Sequence, residues 1–155
     1  MIFIKIKKTL DAPPSKITET LLNHKQLGRF FNAKFKLIAA ENNGELKGGK
    51  GAIRQVKMAN TAFNEQIISA NQSHICYQII GNKPVANHQG DIYLSANTSL
   101  EGFKTNLSYY IQCKAPWWLP NILLKHVITK DITQALNNLN NYFDFYLNFF
   151  ITFDV

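Results

Sequence analysis

The C-terminal third of the chain sets the tightest limit on its fold. After Pro116-Trp117-Trp118-Leu119-Pro120, the residues Leu124, Ile128, Ile132, Leu136, Leu139 and Phe143 recur at three- and four-residue spacing, which lays one apolar stripe along an α-helix. Run to about Leu147, the pattern gives roughly 28 residues, ~42 Å at about 1.5 Å per residue. Asn137, Asn138, Asn140 and Asn141 interrupt it and are poor helix formers, so packing must hold the segment. A helix this long with a single stripe needs a long concave surface to lie in.

The rest of the chain supplies strands. Ile2 to Leu10 alternates apolar and basic residues, the period-two pattern of a half-buried strand. Asp11-Ala12-Pro13-Pro14 stops it, and proline is tolerated in a first helical turn, so a short helix begins near Pro14 with Ile17 and Leu21 on its inner side. A second helical piece, Lys25 to Phe31, turns Leu27, Phe30 and Phe31 inward. From Lys34 the period is two again, with strands over about 35–39, 52–58, 62–68, 74–80, 85–95 and 105–114. The turn signals between them are Ala59-Asn60, Asn71-Gln72-Ser73, Gly81-Asn82-Lys83-Pro84 and the loop around Gly102. Short connections imply antiparallel hairpins. The expected architecture is α+β: a curved antiparallel sheet of six to seven strands wrapped round a long C-terminal helix, with two short helices after the first strand. One domain, 1–148, and an apolar tail, 149–155, account for the chain.

Composition narrows the class. At 155 residues, 46% hydrophobic and 17% charged, the chain can bury one sizeable core, and no run approaches the ~20 apolar residues of a membrane span. The alternating N-terminus lacks the charge-then-apolar order of a signal peptide, which predicts a cytoplasmic protein. Two cysteines, Cys76 and Cys113, and four scattered histidines offer no metal-ligand spacing, so neither metal nor cofactor is expected. The net charge of +7 is spread along the chain. That argues for a solvated basic surface over a nucleic-acid groove, and leaves a membrane-surface contact open.

The order of elements resembles the helix-grip fold of the START-like, or SRPBCC, superfamily, which includes polyketide cyclases and lipid carriers. The matching residues are Thr9-Leu10-Asp11-Ala12-Pro13 leading into Ile17, Gly49-Lys50-Gly51-Ala52-Ile53-Arg54, and Phe63-Asn64-Glu65-Gln66-Ile67. The resemblance spans about Ile4 to Leu147 and implies an apolar cavity between sheet and long helix. It does not imply a reaction, because this fold carries many functions. Gly48-Gly49-Lys50-Gly51 is no phosphate loop: it lacks the required spacing and precedes a strand.

Strand alternation selects the residues facing that cavity. Arg54 shares a face with Ala52, Val56 and Met58, and Glu65 with Phe63 and Ile67. Tyr77 shares one with Ile75 and Ile79, His88 with Gly90 and Ile92, and Tyr109 with Leu107 and Ile111. A two-residue turn at Ala59-Asn60 sets Arg54 opposite Glu65. Comparable turns later would set Glu65 opposite Tyr77 and Tyr77 opposite His88, a polar row across the concave face, with a register open to two-residue slips. Singly, each has an ordinary role: a cross-strand ion pair, a core tyrosine, a satisfied core histidine. Together they form polar fittings for a ligand, since buried charge is costly. Ile128 on the helix and Trp117 at its approach complete the candidate pocket, with Trp117 either at the mouth or packed at the hinge.

Taken with what the resemblance implies, three functions are open to these residues. The first is binding or carriage of a hydrophobic small molecule, a lipid, isoprenoid or polyketide-like compound, by a monomer or weak dimer. The second is a cyclase or dehydratase in which Glu65 or His88 moves protons while Arg54 or Tyr77 polarises a carbonyl. The third is a ribosome- or chaperone-binding module using the basic surface. Residue pattern alone leaves open whether chemistry is done.

Overall fold

The computed structural model describes residues 1–97 and 104–153, with residues 146–153 described by backbone alone. Strand β1 (Ile2–Leu10) leads into helix α1 (Pro14–Leu21) and a 3-10 helix, His24–Arg29. Strands β2 (Lys34–Ala39), β3 (Ile53–Met58), β4 (Thr61–Ala70), β5 (His74–Ile80), β6 (Ala86–Asn97) and β7 (Lys104–Lys114) follow, then helix α2 (Asn121–Phe153). The strands form one seven-stranded sheet in the order β1-β7-β6-β5-β4-β3-β2, antiparallel throughout. Consecutive strands β1 and β2 therefore stand at opposite edges, and α1 with the 3-10 helix carries the chain between them. This is the α+β helix-grip architecture the sequence pattern predicts.

Each element forms for a local reason. In β1, Ile2, Ile4 and Leu10 are buried while Phe3, Lys5 and Lys7 are exposed, so alternation places one row in the core. Pro13 is extended and Pro14 occupies the first helical turn of α1, where a missing N–H costs nothing. That helix buries Ile17 and Leu21, and the 3-10 helix buries His24 and Leu27. Helix α2 starts at Asn121, later than the stretch opening at Pro116, because Pro116 to Leu119 forms a turn (Leu119 N–H donates to the Pro116 carbonyl, 3.1 Å). The first helical carbonyl is that of Pro120, accepting from Leu124 N–H at 3.2 Å. The helix continues to Phe153, so residues 149–153, set apart by pattern as a tail, extend it. The loop around Gly102 and residues 154–155 lie outside the described residues.

Helix α2 is gripped along only part of its length. Ile132, Ala135, Leu136, Leu139 and Phe143 are buried, whereas Ile122 is 85% exposed and Leu123 51%. Three of the four asparagines explain themselves here. Asn138 Nδ2 donates to the Phe30 carbonyl (3.0 Å), Asn140 Oδ1 accepts from Asp11 N–H (3.2 Å), and Asn137 Oδ1 accepts from Lys8 Nζ (2.8 Å). They give up helix propensity to tie α2 to β1 and to the end of the 3-10 helix.

Two hairpin registers differ from the expected ones. Arg54 stands opposite Glu65 as the Ala59-Asn60 turn dictates. Glu65, however, pairs with Ile79, Ile67 with Tyr77, and Tyr77 with Gly90. The first slip arises because Asn71 Oδ1 accepts from Ser73 N–H, Ser73 Oγ and His74 N–H, which moves the centre of that turn toward β5, together with a bulge between Ile67 and Ser69. The second accompanies an irregularity between Ala86 and Gln89 at Asn87, whose φ is +51°. Both slips are of two residues, so every side chain keeps its face.

One loop glycine fixes the helical crossover against the sheet. Gly48 has φ +76°, and a Cβ there would lie 2.1 Å from the Leu22 carbonyl oxygen. Only glycine lets the β2–β3 loop approach the end of α1 this closely.

The uneven grip on α2 has a measurable consequence. Leu139→Ala, at a fully packed position, is expected to cost about 2–5 kcal/mol in denaturant unfolding. Ile122→Ala, on the free end of the same helix, should stay within about 0.5 kcal/mol of the parent.

Candidate functional site

Between the N-terminal half of α2 and the concave face of the sheet lies a cavity of about 240 Å³, far larger than the ~10–15 Å³ that admits a single water. It opens because α2 closes on the core only from Ile132 onward. Nearer its start, Leu124, Val127, Ile128 and Ile132 form one wall. Phe35, Val56, Met58, Phe63, Ile75, Ile79, Ile92 and Ile111 form the sheet wall, with Leu21, Leu27 and Phe31 closing the side of the short helices. The lining is overwhelmingly apolar.

Most of the polar side chains on the sheet wall are connected through Arg54. Arg54 Nε donates to Glu65 Oε1 at 2.9 Å, with both side chains only 10% exposed. Arg54 Nη1 donates to His24 Nδ1 at 3.2 Å, and His24 Nε2–H donates to the Gly48 carbonyl at 2.7 Å. Those two bonds fix the His24 tautomer with its proton on Nε2. The guanidinium also lies over the rings of Tyr77 (5.1 Å) and Phe35 (5.7 Å), a cation–π arrangement. Tyr77 and Tyr109 share a hydrogen bond between their hydroxyls. Gly90 makes room for this: a Cβ there would meet the Tyr77 ring at 2.3 Å, so a strand glycine marks a close approach.

His88 completes the set. Its Nδ1 accepts from the Ile79 N–H at 3.2 Å, at a point where the β5–β6 ladder has ended at Tyr77–Gly90. With Nδ1 accepting, the neutral ring carries its proton on Nε2. Nothing among the described residues accepts from that N–H, and His88 lines the cavity.

Burial governs the titration of the group. It holds His24 down to about 4, assisted by the Arg54 charge, and lowers His88 as well. Burial raises both tyrosines, with Tyr109 adding to the effect on Tyr77. It opposes the Arg54 charge too, but Glu65 and the electron-rich tyrosines outweigh it and keep the guanidinium charged.

Of the residues selected from sequence, Arg54, Glu65, Tyr77, His88, Tyr109, Phe63, Ile92 and Ile128 line the cavity. They do not form a single row, because of the two register slips. Tyr77 and His88 meet diagonally, ring centroids 5.4 Å apart, and Glu65 reaches Arg54 alone. Trp117 is corrected outright: it is 96% exposed and has no place in the lining, because the Pro116–Leu119 turn throws it outward. Sequence pattern missed His24 and Asp131. His24 sits three residues before Leu27 on one face of its short helix. Asp131 lies three residues after Ile128 and is the one carboxylate between Lys114 and Phe143, which places it on the cavity wall.

No protein-family model matches the sequence, and no curated protein matches it. Solved structures do. A START superfamily protein from Mycobacterium smegmatis superposes with a TM-score of 0.75 at 10% identity, over 92% of this chain and 97% of that one. A solution structure from Thermobifida fusca gives 0.71 at 14% identity, over 92% and 93%. The protein XoxI from Bacillus cereus gives 0.69 at 13%, over 92% and 96%. At these identities the likeness is one of fold.

Two measurements test the polar cluster. Arg54→Met and Glu65→Leu each strand a buried charge and are expected to cost about 3–5 kcal/mol, with the double variant recovering much of the loss. Simple additivity, or losses below about 1 kcal/mol, would mean the pair is exposed. The second concerns pH. Unfolded, His24 titrates near 6.5; folded, near 4. The unfolded chain therefore binds more protons between those values. Stability should fall as pH drops through that window, by up to about 1.4 kcal/mol per pH unit from this residue. Urea midpoints against pH should show a shallower slope in His24→Gln; an unchanged slope would contradict the buried neutral imidazole.

Proposed function

We propose that this START-like helix-grip chain binds an apolar small molecule bearing a hydrogen-bond-accepting oxygen, in the cavity between α2 and the sheet. One observation supports the reading: a cavity of about 240 Å³ with an apolar lining counts His88 among its lining residues, and no acceptor for the His88 Nε2–H stands among the described residues. The volume is a little below the ~300–1,000 Å³ usual for ligand sites, which suits a compact molecule or the inserted end of a longer one. Arg54 and Glu65 neutralise each other on the sheet wall, and Asp131 on the α2 wall opposes an anion, so the cavity favours a ligand without negative charge. Of the two protons on Tyr77 and Tyr109 one serves their mutual bond, leaving the other as a second donor beside His88. An isoprenoid, a polyketide-like ketone or a lipid acyl end with its carbonyl meets these requirements.

Binding is favoured over cyclase or dehydratase chemistry by the same bonds. Glu65 already accepts from Arg54, His88 Nδ1 already accepts from the backbone, and burial moves both tyrosines away from easy ionisation. The Glu65 carboxylate and the His88 Nδ1, the two basic atoms on the sheet wall, are thus already engaged, whereas a proton-transfer catalyst works best with a free base whose pKa is near the operating pH.

Nile red, an uncharged apolar dye with a carbonyl, provides the probe. The parent protein is expected to bind it saturably with enhanced emission. Ile128→Trp, which fills the cavity from the α2 side, should weaken binding by about tenfold or more without lowering the melting temperature. Trp117→Ala should leave it unchanged. Equal binding by the parent and Ile128→Trp would place the dye elsewhere and overturn the proposal.

A further inference from the structure

The start of α2 exposes apolar surface that the core does not use. Trp117 is 96% exposed, Trp118 65%, Ile122 85%, Leu123 51% and Val127 45%. These residues are close in sequence, and at about 100° per residue Ile122, Leu123 and Val127 share the outward side of the helix. His126 and Lys130 lie on that same side, and Lys114 and Lys125 flank it, all exposed. The only acid between Lys114 and Phe143 is Asp131, which faces the cavity. A concentrated apolar patch of this kind marks a contact surface.

We infer that Trp117, Trp118 and the outward side of the first turns of α2 dock on an anionic lipid surface. The chemistry of the patch selects the occupant. Indole rings are amphipathic and settle at the boundary between headgroup and acyl chain. Leucine, isoleucine and valine bury beside them, and lysines around the rim meet the negative surface potential of anionic lipids. Two adjacent indoles at the edge of an apolar centre, ringed by basic residues with no acid among them, match the composition of an interfacial membrane contact. The contact is peripheral: among the described residues no helix is long and apolar enough to cross a membrane. Val127 both belongs to the patch and lines the cavity, so docking would bring one cavity wall to the acyl boundary. The inference stands on the exposed patch and does not depend on what the cavity holds.

The chain provides its own reporter, since its two tryptophans are both in the patch. Vesicles of phosphatidylcholine mixed with phosphatidylglycerol are expected to shift the tryptophan emission to the blue and to sediment the protein. Phosphatidylcholine vesicles alone, or added salt, should weaken both effects. Trp117→Ala combined with Ile122→Ser should reduce vesicle affinity by about tenfold or more, read by sedimentation, with an unchanged melting temperature because neither side chain is packed. Lys125→Glu with Lys130→Glu should remove the preference for anionic vesicles while Nile red binding persists. Unshifted emission with both kinds of vesicle would overturn the inference. So would sedimentation indifferent to the Trp117 and Ile122 changes, or a dimer that dissociates on Trp117→Ala and ignores vesicles, which would make the occupant a second copy of this chain.

Discussion

The structure depends on a mismatch between one helix and a wide, curved sheet. A helix offers one stripe of side chains, and seven antiparallel strands present a concavity broader than that stripe can fill at native packing density. The chain resolves the mismatch unevenly. From Ile132 to Phe143, α2 presses into the core and is tied down by Asn137, Asn138 and Asn140. Before Ile132 it stands off, and the space left becomes the cavity. Grip at one end and vacancy at the other follow from the same geometry.

The vacancy would be unremarkable if it were wholly apolar. Instead a charged pair and two hydroxyls are buried on its sheet wall, and each is paid for by a partner. Arg54 is the hub: it bonds Glu65 and His24 and lies over Tyr77 and Phe35. His24 transmits this to the backbone at Gly48, where the β2–β3 loop meets the end of α1. The polar cluster thus locks the short helices to the sheet while presenting almost no net charge to the cavity. A buried charge left unpaired would be strongly destabilising, so the satisfied network is what allows polar groups to line an apolar site. Among the described residues nothing accepts from the His88 Nε2–H, because an irregularity in β6 lets its other nitrogen take the Ile79 N–H in place of a ladder bond.

Much of this was legible in the sequence because periodicity reports faces. The stripe Leu124 to Phe143 and the alternation around Arg54, Glu65, Tyr77, His88 and Tyr109 assign each side chain to the interior without any knowledge of register. Register itself was legible only where the turn is minimal, at Ala59-Asn60. At Asn71 a side chain caps the turn, and at Asn87 the backbone takes a left-handed conformation; neither leaves a period to read. His24 escaped because a short 3-10 helix carries too few residues to show a face. Trp117 misled because an aromatic beside a predicted cavity mouth reads as a lid, while the Pro116–Leu119 turn directs it away. Asp131 was in plain view, a lone carboxylate in an apolar stripe, and its position among the apolar residues was the signal.

Whether the cavity holds an apolar molecule decides the function of this chain. Native mass spectrometry of freshly purified protein tests this most directly. The predicted result is a bound mass, lost on denaturation, that corresponds to an uncharged apolar compound containing oxygen and is absent from Ile128→Trp. The contradicting result is a parent protein that carries no ligand, takes up none from a total lipid extract, and has the same mass as its denatured chain throughout.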